Sequence, residues 1–246
     1  QSLEKLEVRM LESPGQQLSL TDPDARVMST AARSKAIVGY NVQAAVDTKH
    51  HLIVAHEVTN VGHDRAQLCN MSLQAKEAIN CDMLTVVADR GYFTGEEILA
   101  CEEASITAYV PKPQTSNNQA RGLFGRRDFI YRADDNEYEC PAGERLIYRF
   151  TNQEDGKTMH RYWSTACPRC QLKERCTTGR ERRVKRWEHE AVMEAMEDRV
   201  DRMPDCMRIR GSTVEHPFGT IKSWMGPVHF LMRRLEHVST EMSLHV

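Results

Sequence analysis

Long apolar runs are missing from this sequence. Across its 246 residues, no apolar stretch approaches the roughly 20 residues that a membrane-spanning helix needs. Apolar residues make up 40% and charged residues 28% of the chain, as in ordinary soluble globular proteins. We therefore expect no membrane partner, and a length sufficient for one sizeable domain or for a core domain with a large insertion.

An initiator methionine and a signal peptide are also missing. Residues 1–7 contain neither a basic segment nor an apolar segment of the kind that directs secretion. Their pattern is typical of the interior of a helix. Residues 241–246 also have a helical pattern and lack the Gly or Pro that commonly ends a helix. These features predict a fragment at both ends and a cytoplasmic protein.

The chain has no excess of charge of one sign. Its formal net charge is -2, whereas a dedicated DNA-binding domain is often strongly basic. Any contact with nucleic acid must therefore come from local clusters of basic residues.

The cysteines have an arrangement that favours metal binding over disulfides. Four of the eight are scattered and four lie between residues 140 and 176, two of them as a C-x2-C pair. We predict a structural Zn²⁺ site that holds together a segment poor in apolar core residues; four ordinary reduced cysteines are the alternative. The predicted ligands are Cys140, Cys167, Cys170 and Cys176, with His160 as an alternative ligand.

Hydrophobic periodicity predicts an α/β fold in the first half of the chain. Alternating residues indicate a hairpin over 40–58, helical spacing indicates a helix over 64–79 with Asp64 as a possible cap, and a short apolar run at 83–88 indicates a buried central strand. A helix and a strand follow, which gives the order β-β-α-β-α-β. The predicted division is a lead-in helix and loop at 1–35, a core at 36–110, an insertion at 111–186 and C-terminal core helices at 187–246.

Asp89 is the first candidate for chemistry. It stands at the carboxyl end of the predicted buried strand, where ligands bind in α/β sheets, and Gly91 lets the chain turn. The alternative is an Asp that begins a turn and caps the next helix.

Glu215 and Lys222 are the second candidates. They are seven positions apart, nearly two helical turns, so both side chains would face one side of a helix that starts near Ser212. The alternative is a capping box, because Ser212 and Glu215 have the S-x-x-E spacing. Pro217 would then lie in or just after the first turn, where it is tolerated.

Five short segments resemble the bacterial insertion-sequence transposases whose RNase H-like domain is named for its Asp, Asp and Glu residues. The resemblance implies an RNase H-like mixed sheet flanked by helices, with the cysteine-containing insertion between the second Asp and the Glu. It also implies that Asp89 is the second catalytic carboxylate, Glu215 the third and Lys222 the lysine that follows it. The segments are SLTDPDAR at 19–26, GYNVQAAVD at 39–47, VADRGY at 87–92, CPAGE at 140–144 and VEHPFGTIK at 214–222.

Two departures from the family's pattern predict that this chain alone will not catalyse strand transfer. The family's first Asp precedes the hairpin, but the upstream candidates Asp22 and Asp24 flank a Pro in a loop, so we expect the true first Asp to be missing upstream. Asp47 is a less favoured candidate because it lies at the predicted hairpin turn. Gly211 stands where the family usually has an Arg, and Arg210 would point elsewhere on a helix.

The implied chemistry is DNA cleavage and strand transfer with Mg²⁺ or Mn²⁺. Two such ions can clamp the attacking and leaving oxygens of a phosphoryl displacement, and carboxylates are the ligands that they prefer. The implied partners are transposon ends and target DNA, and a homo-oligomer is an open expectation. Alternatives are a metal-dependent nuclease without strand transfer and a zinc-stabilised DNA-binding remnant.

Basic clusters are usually solvated faces, but in a DNA-handling enzyme they would contact phosphates. Trp187 and Trp224 could stack on an unpaired base, although such residues more often belong to a core. The predicted DNA-binding residues are Arg182, Arg183, Lys185, Arg186 and Arg210.

Overall fold

A computed structural model describes residues 3–13, 16–28, 37–113, 117–223 and 229–246. Trp224, considered above for base stacking, lies outside these ranges. The chain forms two compact units, the first comprising residues 1–112 and 195–246 and the second residues 113–194. In the described ranges no helix is long and apolar enough to cross a bilayer.

The first unit begins with a short helix and two antiparallel strand pairs. Helix α1 spans Leu3–Glu12, and β1 (Arg26–Met28) pairs with β2 (Ile37–Gly39). The predicted hairpin is present as β3 (Asn41–Val46) and β4 (Ile53–Thr59). Their alternating apolar residues suit a ribbon with one packed face.

A helix, a strand, a second helix and a parallel strand follow the hairpin. They are α2 (Leu68–Ala78), β5 (Leu84–Val87), α3 (Gly95–Glu103) and β6 (Ile106–Tyr109). Strand β6 pairs with β5 in parallel, as expected when a helix forms the connection. The predicted order β-β-α-β-α-β is therefore confirmed. Asp64 is not the cap of α2, whose N-cap is Gln67.

The α3–β6 segment supplies completely buried side chains of this unit. Ile98 and Cys101 of α3 and Ile106 and Ala108 of β6 are at most 1% exposed. A second apolar cluster joins the hairpin to the C-terminal helices through Val58, Ile221, Val238 and Met242. At about 25 cal/mol per Å² of apolar surface, such burial is the main term that stabilises the unit.

The described part of the C-terminal region contains three helices, and the helix expected to start near Ser212 begins earlier. Helix α5 spans Glu190–Arg202, α6 spans Cys206–Ser223, and α7 spans Leu235–Ser243. Because α6 begins six residues before Ser212, the capping-box alternative is wrong, and the Ser212 hydroxyl donates to the Ile209 carbonyl instead. Pro217 consequently lies inside the helix rather than in its first turn.

The second unit is built on a five-stranded antiparallel sheet in the order β11-β10-β9-β8-β7. Short helix α4 (Lys173–Cys176) lies between the last two strands in the chain. The strands are β7 (Ile130–Arg132), β8 (Glu137–Glu139), β9 (Arg145–Glu154), β10 (Lys157–Trp163) and β11 (Val184–Trp187).

The expectation that the insertion lacks an apolar core is wrong. One side of the sheet buries a cluster that is rich in aromatic rings. Aromatic side chains bury a large area each, so a few of them replace the aliphatic periodicity that a sequence reading looks for. The cluster consists of Phe129, Tyr138, Leu146, Tyr162 and Val184.

Candidate active site

A cleft of about 260 Å³ in the first unit runs between β3 and β5. Residues 41–45 of β3 line one part of it, and residues 86–89 line another. Helices α2 and α6 each contact both strands. Because Ala88 and Asp89, which directly follow β5, line the cleft, it lies at the carboxyl end of β5. This is the usual ligand position in α/β sheets.

Asp89 lies at the edge of this cleft and also organises the turn that follows β5. Its Oδ1 accepts a hydrogen bond of 2.8 Å from the Gly91 amide and caps the 3-10 turn Arg90–Tyr92. Its Oδ2 accepts a 2.9 Å charged hydrogen bond from Arg210 of α6. Asp89 therefore caps the turn, as one interpretation predicted, and also lines the cleft, as the other predicted.

Asp64 is a second carboxylate in the cleft that the sequence reading treated only as a helix cap. Its Oδ1 accepts hydrogen bonds of 2.7 Å from the side-chain amides of both Asn41 and Gln43. A Cβ placed on Gly91 would lie 2.9 Å from Asp89 Oδ1 and 3.4 Å from Asp64 Oδ2, so both carboxylates flank this glycine. Asn41 and Gln43 occupy alternate positions of β3, so their side-chain amides lie on one side of the strand. This pair of polar residues is the signal that could have indicated a carboxylate partner such as Asp64.

The two carboxylates make the cleft electronegative around Tyr92. Burial raises the pKa of Tyr92 well above its usual range, the charges of Asp64 and Asp89 raise it further, and Arg210 opposes them. The Tyr92 hydroxyl donates to Gln43, which is only 1% exposed. This network fixes the side chains that border the carboxylates.

Arg210 does not point away from the site as the sequence reading expected. Its ion pair with Asp89 joins α6 to the end of β5. The side chains are 27% and 41% exposed, so solvent screens the pair and its contribution is about 0.2–1 kcal/mol. Arg210 is therefore a residue of the cleft in addition to its predicted role in DNA binding.

Glu215 and Lys222 are both exposed residues of α6. The face of α6 that lines the cleft carries Arg210, Val214 and Phe218, and Glu215 follows Val214 by one position. A Cβ placed on Gly211 would lie 3.7 Å from Glu215 Oε1. The convergence of Asp89 with Glu215 stays a prediction.

The other three Asp candidates are hydrogen-bonded to residues outside the cleft. Asp47 Oδ2 accepts from the His50 amide, and this hydrogen bond lowers the pKa of Asp47, as expected in a hairpin turn. Asp22 accepts from the Tyr40 hydroxyl and the Arg234 amide, and Asp24 accepts from the Leu235 amide at the start of α7.

The four clustered cysteines line one small cavity of about 20 Å³ in the second unit. All four are free thiols. Burial raises the pKa of Cys176, Arg182 opposes this, and the three other thiols raise the pKa further. His160 is engaged elsewhere, through a 2.7 Å hydrogen bond between its Nδ1 and Thr151. Even so, across the described ranges, no three or more His, Cys, Asp or Glu side chains are arranged to hold a metal ion.

The predicted DNA-binding residues of the second unit differ in accessibility. Arg183 and Lys185 are exposed, and the Arg182 guanidinium lies 5.2 Å from the Phe129 ring centre. Arg186 is 7% exposed and pairs with Glu194 at 2.5 Å. Burial therefore removes Arg186 from the predicted phosphate contacts.

Comparison with protein families identifies the transposase DDE domain, which matches residues 15–246. The chain therefore belongs to the DDE-domain transposases, enzymes of DNA transposition that generally use divalent ions such as Mg²⁺. Comparisons with curated proteins and with solved structures found no match.

Proposed function

We propose that the first unit is the catalytic domain of a transposase that cleaves and joins DNA at the cleft between β3 and β5. Asp89 and Glu215 would supply metal-binding carboxylates, and Lys222 would contact the DNA near them. The observation that carries this proposal is the pair of carboxylates, Asp89 and Asp64, at the carboxyl end of β5.

The proposal includes a further strand that completes the sheet. In the described ranges, β3 has only β4 as a hydrogen-bonded partner and β5 has only β6, although residues of both β3 and β5 line one cleft. Unpaired backbone groups on strand edges favour the addition of a strand. We propose that a strand upstream of this chain pairs there and brings the first carboxylate beside Asp89.

Hard carboxylate oxygens fit Mg²⁺ or Mn²⁺, which would polarise the phosphoryl oxygens of DNA. Asp89 would have to exchange its contact with Arg210 for the ion. Asp64 is held by two amide donors, so its Oδ2 is the oxygen directed toward Gly91. The chain's own contribution is to position these oxygens and to hold the DNA strand against them.

The test compares this chain with a longer form that adds an Asp-bearing strand upstream, each incubated with Mg²⁺ and DNA carrying the element's ends. We expect nicking and joining by the longer form only, and loss of both in Asp89→Asn and Glu215→Gln. The matched control is Asp205→Asn, an exposed residue just before α6 that pairs with Arg208.

Each other outcome identifies a different function. Nicking without joining indicates a nuclease, and DNA binding without cleavage in the longer form indicates a binding remnant. Robust joining by the present chain would contradict the proposal that a strand is missing. Loss of that joining in Asp47→Asn would then identify Asp47 as the first metal ligand.

We also propose that the four clustered cysteines bind a structural Zn²⁺. Their common cavity and free thiols support this, and thiolates are the ligands that zinc prefers. Zinc binding requires the sulfur atoms to move closer together than they lie in the described residues. Protein purified under reducing conditions should contain one zinc per chain, which Cys170→Ser should lose and Cys81→Ser should keep. Absence of zinc from the native protein would contradict the proposal.

A further inference from the structure

One side of the sheet in the second unit presents aromatic rings and cationic side chains together. Two guanidinium groups contact the Trp163 ring, with Arg149 at 5.3 Å and Arg183 at 4.9 Å from the ring centre. Phe150 contacts Trp163 edge to face, with the ring centroids 5.9 Å apart. We call this group the aromatic–cationic face.

The strand register extends this face across three strands. Phe150 on β9 and Lys185 on β11 both pair with Arg161 on β10, so these three side chains form one cross-strand row. The register between β9 and β10 shifts at Arg161, which leaves Arg149 as the extra residue of a bulge. Such a bulge re-aims a side chain, and here Arg149 lies over Trp163.

The face is accessible and has more cations than paired carboxylates. Phe150 is 45% exposed, and the Arg183 side chain is 62% exposed. The face has four cations, which are Arg149, Arg161, Arg183 and Lys185. Within the described ranges they have two carboxylate partners, Glu181 for Arg183 and Glu154 for both Arg161 and Lys185. The opposite side of the sheet carries the buried tyrosine cluster and needs no partner.

We propose that the aromatic–cationic face binds single-stranded DNA by stacking a base on Phe150, whose ring Trp163 supports edge to face, and by pairing phosphates with Arg149 and Arg183. Aromatic rings beside a positive groove are the recurrent means of holding unpaired strands without reading their sequence. A duplex keeps its bases stacked inside and cannot offer them to exposed rings. This surface rests on the proposed function only in that DNA is the substrate.

The test measures binding of a fluorescent oligothymidine by the full chain in EDTA, so that no metal-dependent step contributes. Phe150→Ala should weaken binding about 5- to 160-fold, the usual range for removing one stacking ring. The matched control is Tyr148→Ala, a 42% exposed ring two positions earlier on the same strand that contacts Tyr162 of the buried cluster instead. It should change the affinity less than twofold.

The ionic contribution is tested separately. Arg183→Gln should reduce the slope of log affinity against log salt by about 0.7, the value for one phosphate contact on a single strand. Arg145→Gln removes an exposed arginine of β9 that pairs with Asp135, and it should leave the slope unchanged. Melting temperatures within a few degrees of the native protein will show that each variant is folded.

The outcomes separate this proposal from the proposed function. Equal oligothymidine affinity in Phe150→Ala and the native chain, or equal losses in Phe150→Ala and Tyr148→Ala, overturns the proposal. Tighter binding of duplex than of single strand also overturns it, as does dimerisation through this face that Phe150→Ala abolishes. If binding depends on Phe150 but the longer form does not cleave DNA, the proposed DNA-binding face is supported and the proposed transposase activity is contradicted.

Discussion

Replacing Arg210 with Gln should increase the affinity of the cleft for divalent or trivalent metal ions. Arg210 holds Asp89 Oδ2 at 2.9 Å, so a metal ion must compete with a positive charge for this oxygen. Removal of that charge leaves Asp64 and Asp89 with a larger uncompensated negative potential, and the pKa of Tyr92, which Arg210 lowers, should rise.

The magnitude follows from the exposure of the pair. Since the side chains are 27% and 41% exposed, the ion pair is worth about 0.2–1 kcal/mol, and its removal should raise metal affinity about 1.4- to fivefold. The free energy of unfolding should fall by no more than about 1 kcal/mol.

Terbium luminescence excited through tyrosine provides the assay, with Mg²⁺ as competitor and Asp89→Asn to define the signal from this site. The control is Arg208→Gln, which removes an arginine of the same helix that pairs with Asp205. Unchanged or weaker binding in Arg210→Gln would refute the reasoning, and so would an equal gain in Arg208→Gln.

Three further predictions concern stability and thiol chemistry. Leu146→Ala, at a position 1% exposed, should lower the free energy of unfolding in urea by about 2–5 kcal/mol; a change below about 1 kcal/mol would contradict the packed core of the second unit. Asp22→Ala, which leaves the Tyr40 hydroxyl and the Arg234 amide without their acceptor, should cost about 1–3 kcal/mol by the same measurement, and no loss would contradict an anchoring role. Burial, reinforced by Cys69, raises the pKa of Cys101 to about 12. Native Cys101 should therefore resist iodoacetamide at pH 8, and its contribution to stability should be lost as the pH rises from about 9 through 12. Rapid labelling of the native protein would contradict this prediction.

The sequence was sufficient for elements whose pattern is local. The alternation at residues 40–58 and the apolar run ending before Asp89 predicted the hairpin and β5, because strand periodicity depends on neighbouring residues. Helix α6 was placed too late because Ser212 satisfies a capping pattern that the preceding helix-forming residues override.

Features that depend on distant contacts were not predictable. Asp64 acquires its place in the cleft from amides more than twenty positions earlier, and Arg210 from an Asp 121 positions away. The core of the second unit was not predicted because it is filled by aromatic rings from separate strands, and not by aliphatic residues at regular spacing in one segment. No pattern within a single segment encodes such meetings.

The most direct test of the catalytic assignment is the position of bound metal in a crystal structure of the longer form with DNA and Mn²⁺, located by anomalous scattering. The account predicts Mn²⁺ in the cleft between β3 and β5, ligated by Asp89, with the Glu215 carboxylate within about 8 Å of Asp89, as a shared two-metal site requires. Mn²⁺ bound elsewhere, or Glu215 on the far side of the sheet from Asp89, would contradict it.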